Sequence, residues 1–380
     1  MTVSRLAEQI PPFIAMDVLE RAKALESQGR SVIHLEVGEP DFPTPPPIVE
    51  AAQRALAAGH THYTHSMGIP ELREEIARHY HTKYGVEISP DQIVVTSGTS
   101  PALMLAFAAI CDPGDEVITS NPRYACYPNA IRFVGAVPVE VPVEEDAGFR
   151  FDIAQLKQHI TPRTKAILIN SPSNPTGILM HPEDLSAIAQ LGPLVVSDEI
   201  YHGLVYGEKE HTILEYTNRA IVINGFSKLY AMTGWRLGYL ILPRELVRAV
   251  QKFHQNLFIC ASAFGQYAAI AALRQCEEYT RQMVSTYDQR RRYMLSRLRS
   301  LGFRVAVEPT GAFYVLANAR HLSKDSYHLA FDILEKVGVA VTPGIDFGTN
   351  AEGFLRFSYA NSLDNIAIAM DRLEQYVSSA

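Results

Sequence analysis

The chain has 380 residues, of which 47% are hydrophobic and 20% charged, and at roughly 150 residues per domain its length predicts two or three domains. That composition excludes disorder as the main state, and a chain this long buries a full core without a disulfide scaffold. Lys plus Arg total 34 against 41 Asp plus Glu, a net charge of −7 that argues against a general nucleic-acid or anionic-membrane surface.

In chain order, Met16–Ser27 carries Val18, Leu19, Ala22 and Leu25 at helical spacing, with Gly29 as a stop. Val32–Val37 reads as a strand, and Pro43–Pro47 as a stiff extended connector, because proline fixes φ. Ile48–Ala58, Glu71–Tyr84 and Pro101–Ile110 read as helices; Gln92–Thr96, Glu116–Thr119 and Val137–Val141 read as strands. Lys165–Asn170, Leu194–Ser197 and Ala220–Asn224 are continuous apolar runs ending in polar residues, the pattern of strands covered by helices on both faces. The alternation predicts right-handed crossovers and an α/β fold with a mostly parallel sheet, with Gly238–Leu242 as a further, antiparallel strand. From Glu277 the texture changes. A long arginine-rich helix at Tyr279–Leu301 is followed by strands at Phe303–Val307 and Ala312–Leu316, a helix near Tyr327–Val337, a strand at Phe354–Phe357 and a closing helix at Asn361–Val377. We therefore expect a large domain over 46–276, and a smaller α+β domain built from 1–45 together with 277–380.

Cys111, Cys126, Cys260 and Cys276 form no CxxC pair and read as packing residues of an intracellular protein. The N-terminus lacks the apolar core of a signal peptide, and no apolar run approaches the ~18 residues that cross a bilayer. A cytoplasmic protein is expected. The histidines at 60, 62, 65, 79 and 81 fit no HExxH spacing, and no metal site is expected.

Ligands of α/β sheets bind beyond the carboxyl ends of the strands. After Gln92–Thr96 comes Ser97-Gly98-Thr99-Ser100 and a helix N-terminus, whose free N–H groups suit a phosphate or serve as an ordinary cap. After the later runs come Ser171-Pro172-Ser173-Asn174-Pro175-Thr176-Gly177, Asp198-Glu199-Ile200-Tyr201 and Gly225-Phe226-Ser227-Lys228, the last followed by Arg236 within Thr233–Gly238. An acid, an amide, a phenol, a lysine and an arginine thus gather at one sheet edge.

With these segments, Leu35–Phe42 and Leu355-Arg356-Phe357-Ser358, the chain resembles the class I/II aminotransferases, the fold-type I enzymes dependent on pyridoxal phosphate. The resemblance covers nearly the whole chain and implies the following roles. Lys228 forms the Schiff base and moves a proton once freed. Asp198 pairs with the pyridinium nitrogen, Tyr201 donates to the cofactor's 3-oxygen, and Asn174 contacts that oxygen and the substrate carboxylate. Thr99, Ser100, Ser227 and Arg236 cradle the phosphate. Tyr124 stacks on the ring, Arg356 grips the substrate's α-carboxylate, and Gly38 lies beside the substrate. Tyr63 reaches the phosphate of a neighbouring subunit, so a homodimer with shared active sites is implied.

Two positions depart from the family pattern. Gly225 stands where a hydroxyl residue is usual, which implies one phosphate hydrogen bond missing or replaced by water, and Arg123 stands where glycine is common before the stacking tyrosine. Arg123 reads either as a solvated surface charge or as a cation near the substrate's distal end. The apolar segment Ile10–Met16, matched to the pocket entrance, leans toward aliphatic or aromatic amino acids, with 2-oxoglutarate as the acceptor implied by the family. A carbon–sulfur β-lyase on the same scaffold, a fused DNA-binding regulator and an inactive binding protein are the rivals. The second leaves no space for its extra module before about Leu6, and the third does not account for the full polar set.

Overall fold

The computed structural model describes residues 2–379. A short strand, β1 (Ile33–His34), precedes the strands of a seven-stranded sheet: β2 (Ile93–Thr96), β3 (Glu116–Asn121), β4 (Val137–Pro142), β5 (Thr164–Asn170), β6 (Leu194–Asp198), β7 (Ala220–Gly225) and β8 (Gly238–Ile241). Their spatial order is β2-β8-β7-β6-β5-β3-β4. Every neighbouring pair is parallel except the two made by β8, which runs antiparallel to both β2 and β7. The apolar runs are buried from end to end because both faces are covered. Ile167, Ile169, Val195, Ala220 and Val222 pack into one layer, while their alternate neighbours Ala166, Leu168, Val196, Ile221 and Ile223 pack into the layer behind. A fully buried Val or Ile contributes about 1.5–3 kcal/mol, so this double layer carries much of the fold's stability.

Three further strands, β9 (Tyr314–Asn318), β11 (Thr342–Pro343) and β12 (Phe354–Ser358), form an antiparallel sheet in the order β11-β12-β9, and β10 (Val339–Ala340) pairs in parallel with β1. The helix Ile14–Ser27 buries Val18, Ala22 and Leu25 against Val32, Leu334 and Ala340, so the two ends of the chain share one small core.

Several elements differ from expectation. Pro46 and Pro47 open the helix Pro46–Ala57 instead of continuing the extended connector, since a first-turn proline lacks only an N–H that would be unpaired anyway. Phe303–Val307 is not a strand; its pairing with β9 is a single bridge, Arg304 to Asn318. Val32–Val37 keeps only two residues of strand, because it pairs with two residues of β10 and then runs on towards the cavity described below. The helices Arg244–Leu257 and Ala263–Gln275 were not anticipated. Among the described residues no helix is long and apolar enough to cross a membrane.

Candidate active site

The carboxyl ends of β2, β5, β6 and β7 open on one cavity of about 320 Å³. Gly38, Thr99, Ser100, Tyr124, Asn174, Asp198, Tyr201, Ser227, Lys228, Arg236 and Arg356 all line it. Tyr63 does not; it lies on the loop between two helices and is 79% exposed.

At the end of β6, Asp198 is buried among aromatic rings. Its Oδ2 accepts from the Tyr127 hydroxyl at 2.7 Å and its Oδ1 from the Ile200 amide at 3.2 Å. Burial pushes its carboxyl up to about 6, against the pull of those two donors and of Lys228. Lys228 follows β7, and its Nζ donates to the Gly38 carbonyl at 2.5 Å. Desolvation brings its ammonium down to about 8; Arg356 and Arg236 push the same way, opposed by Glu39 and Asp198. The amine is therefore partly free base in the neutral to mildly alkaline range, unlike a surface lysine.

On one side of the cavity, the helix Thr99–Ile110 begins after Gly98 with no side-chain cap, leaving its first N–H groups and its positive dipole end directed at the site. Arg236, held in a left-handed conformation at φ 53°, reaches the same place, where its Nη1 donates to the Thr233 carbonyl at 2.9 Å. Gly98 is required here: its φ is +100°, and a Cβ would stand 2.8 Å from Arg236 Nη2. Gly225 has a comparable reason. Opposite Gly238 in the ladder, a Cβ on it would lie 3.0 Å from the Gly238 Cα and the Leu237 carbonyl, so a hydroxyl side chain fits only if β8 shifts.

On the other side, Arg356 on β12 is 2% exposed and clamped between the rings of Tyr314 and Phe347, 4.4 and 4.8 Å from its Cζ. Its Nη1 donates to Asn174 Oδ1 at 2.9 Å, and its Nη2 to Thr342 Oγ1 at 3.1 Å and to the Glu36 carbonyl. Its Nε is buried without a partner. Tyr201 and Tyr314 share a hydroxyl contact at 2.8 Å, and burial raises both phenols. A Cβ on Gly38 would lie 2.1 Å from the Tyr314 hydroxyl, so glycine is needed there for close approach.

Sequence reasoning missed Tyr127 and Tyr314, which line the same cavity, as does Phe13 from the segment expected at its entrance. Tyr127 opens the short helix Tyr127–Phe133 directly after the Tyr124 loop, and Tyr314 begins β9 on the face that carries Arg356 across the ladder. Neither carries a motif, and only the tertiary fold brings them in. Arg123 is not a cavity cation and not a solvated one either. Its side chain is 12% exposed and pairs with Glu140 at 2.8 Å. Among the described residues no three His, Cys, Asp or Glu side chains gather as a metal site.

The Tyr127 bond has a measurable sign. Asp198 binds its proton more tightly in the folded protein, about 6 against the ordinary 3.8, so folded-state stability falls as pH rises between those values. In Tyr127→Phe the lost donor raises Asp198 further and leaves Oδ2 unpaired, a cost of about 1–3 kcal/mol. In thermal melts of cofactor-free protein, the pH-dependent loss of stability should therefore extend above pH 6 in the variant; coincident profiles for variant and parent would refute this account.

The family model for aminotransferase class I and II matches residues 30–373. A (5-formylfuran-3-yl)methyl phosphate transaminase of Methanocaldococcus jannaschii is 44% identical, covering 96% of each chain. An aspartate aminotransferase of Thermotoga maritima is 40% identical, covering 99% of this chain and all of its own. The solved structure of the Thermus thermophilus aspartate aminotransferase with maleate matches at a TM-score of 0.95, with 38% identity and 99% of each chain covered. These relatives are transferases, and the β-lyase reading is not favoured. The chain belongs to the class I and II aminotransferase family, whose members depend on pyridoxal phosphate, and it is itself an aminotransferase.

Proposed function

We propose that this aminotransferase binds pyridoxal phosphate on Lys228 and moves the amino group of an L-amino acid with an apolar side chain to 2-oxoglutarate, in a ping-pong cycle. The observation that carries the reading is Arg356: a buried guanidinium anchored through both terminal nitrogens, with Nε left unpaired in the same cavity as Lys228. An unpaired buried donor is costly unless a ligand satisfies it, and a carboxylate matches the planar fork.

The residues present fit the cofactor. The uncapped helix start at Thr99 and Ser100, with Ser227 and Arg236, supplies donors for a phosphate. The Tyr124 ring offers a stacking wall, and Asp198 gives a carboxylate for a protonated ring nitrogen. Pyridoxal phosphate, when bound, supplies an electron sink for charge developing at the amino acid's Cα. The protein's own groups do the rest. Asp198, at about 6, is mostly ionised at neutral pH and holds the proton on its partner. Tyr201, kept neutral by burial, would donate a hydrogen bond to the cofactor while accepting one from the Tyr314 hydroxyl. Asn174 and Arg356 orient the substrate carboxylate, and Gly38 lets the backbone approach it. Lys228, partly free base near pH 8, would take the proton from the substrate Cα on its Nζ and deliver it to the cofactor's C4′ carbon.

Two of the relatives named above are aspartate aminotransferases and the third, the most identical of them, is a (5-formylfuran-3-yl)methyl phosphate transaminase, so their names fix no common donor and the choice rests on the cavity. Phe13, Ala15, Met16 and Val37 form its apolar part, and its cationic side chains among the described residues are Lys228, Arg236 and Arg356. None of these is left over for a second carboxylate, so the distal carboxylate of 2-oxoglutarate takes its hydrogen bonds from neutral groups or from the partner subunit, and the apolar wall favours aliphatic or aromatic donors. Four free cysteines fit a reducing, cytoplasmic setting.

A shared-site homodimer is part of the same proposal. Exposed Tyr63 adjoins Thr64, whose amide contacts Cys260 Sγ at 3.4 Å, in a region where Leu257, Ile259 and Phe264 also expose apolar surface. Monomers seldom leave such patches uncovered.

Three measurements test the proposal. Borohydride reduction and peptide mapping should place the pyridoxyl label on Lys228, with turnover requiring a 2-oxo acid; label elsewhere, or ammonia released without an acceptor, refutes it. Arg356→Ala should weaken amino-acid binding by about 2–5 kcal/mol while cofactor retention persists. Arg356→Lys should restore little, since an ammonium lacks the planar fork; near-normal saturation in Arg356→Ala would remove the clamp. Finally, mixed dimers of Tyr63→Ala and Lys228→Ala should regain activity beyond the sum of the two inactive parents, because one of the two sites then holds both intact residues. A monomer by sedimentation, or proven heterodimers without recovery, would exclude sharing.

A further inference from the structure

Helix Ile14–Ser27 has no cap of its own: Phe13, at the N-cap position, offers no side-chain acceptor. The cap comes from far along the chain. Asp346 Oδ1 accepts from the Ile14 amide and Oδ2 from the Ala15 amide, both at 3.1 Å. The preceding helix, Arg5–Gln9, buries nothing, so it cannot hold this end of the segment down. Further along, Val18, Ala22 and Leu25 are anchored in their own core. The first turn thus depends on Asp346, and that turn is the part that lines the cavity through Phe13, Ala15 and Met16. Phe13 also stands edge-on to the Tyr124 ring, with centroids 6.0 Å apart.

Asp346 is itself fixed to the large sheet. Just beyond β3, the Arg123 amide donates to the Phe347 carbonyl at 2.9 Å, and Arg123 Nη1 reaches the Asp346 carbonyl at 3.4 Å. Asn121, the last residue of β3, donates to Thr349 Oγ1 at 3.0 Å and accepts from the Asn350 amide at 3.1 Å. A Cβ on Gly348 would lie 2.2 Å from Asn121 Oδ1, so the loop sits directly on the strand end. A continuous path of bonds runs from β3 through Arg123 and the loop to the first turn of the N-terminal helix.

We propose that Asp346 is a positioning residue for substrate selection: by capping the helix Ile14–Ser27 it holds the Phe13–Met16 wall in register with the cavity, and so sets the preference for bulky apolar side chains. Arg123 serves this purpose by holding Asp346, without touching substrate. The inference rests on the reading of the cavity as an amino-acid site.

The test uses holoenzyme and two carboxylates, 3-phenylpropionate and acetate, titrated against the cofactor's absorbance. Both engage the carboxylate clamp, but only the first reaches the wall. Asp346→Ala should cut the affinity ratio of 3-phenylpropionate to acetate by about tenfold, the scale of a lost apolar contact surface. Hydrogen exchange at the Ile14 and Ala15 amides should quicken at the same time, and Asp346→Asn, with one acceptor kept, should fall between. Phe13→Ala should lower the ratio while leaving those amides protected. An unchanged ratio in Asp346→Ala, or equal weakening of both ligands, overturns the proposal. Should Asp346→Ala fail to fold, an unchanged ratio in Asp346→Asn or in Phe13→Ala overturns it as well. Failure of the amino-acid-site reading looks different: parent enzyme would bind neither carboxylate.

Discussion

Coverage of the central sheet on both faces is the constraint from which the site follows. With Ile, Val, Leu and Ala filling the layers above and below, a polar side chain on β5, β6 or β7 has no favourable place except at a strand end. Because these strands run parallel, their carboxyl ends fall along one edge, and Asn170, Asp198 and the Ser227-Lys228 pair emerge side by side. β8 enters antiparallel and brings Arg236, which precedes it, to that edge as well.

Burial also tunes the groups gathered there. It pulls Lys228 and Asp198 towards each other on the pH scale, down to about 8 and up to about 6. Both groups stay close to the range in which a proton can be moved in either direction at little cost. Neighbouring charges adjust this only within what desolvation sets: Arg356 and Arg236 lower Lys228 further, while Glu39 opposes them from the cavity mouth.

The sheet and most of the site were legible because both write themselves into local sequence. Apolar runs such as Ala220–Asn224 admit one reading, and the residues after them fall where the strand ends must fall. Non-local arrangements were not legible. Tyr127 meets Asp198 from the helix that follows β3, Tyr314 meets Tyr201 from another sheet, and Asp346 caps a helix 332 residues away. The Arg123 alternatives failed for the same reason, since its partner Glu140 is supplied by the adjacent edge strand. Phe303–Val307 shows the opposite error: an apolar run with strand-like composition that meets its neighbour at one bridge only, because Phe303 and Val305 turn into the core of the smaller part of the molecule.

The bare start of the helix Thr99–Ile110 has a consequence beyond the chemistry. Its leading amides lie beside Arg236 with no side-chain cap of their own, so helix dipole and guanidinium favour an anion at the same point. An anion taken up there favours the folded state by mass action, more strongly the higher its concentration. On the proposed reading, a phosphorylated ligand bound there would act as a folding ligand as well as a reactant, so resistance to unfolding and to proteolysis would rise with its concentration.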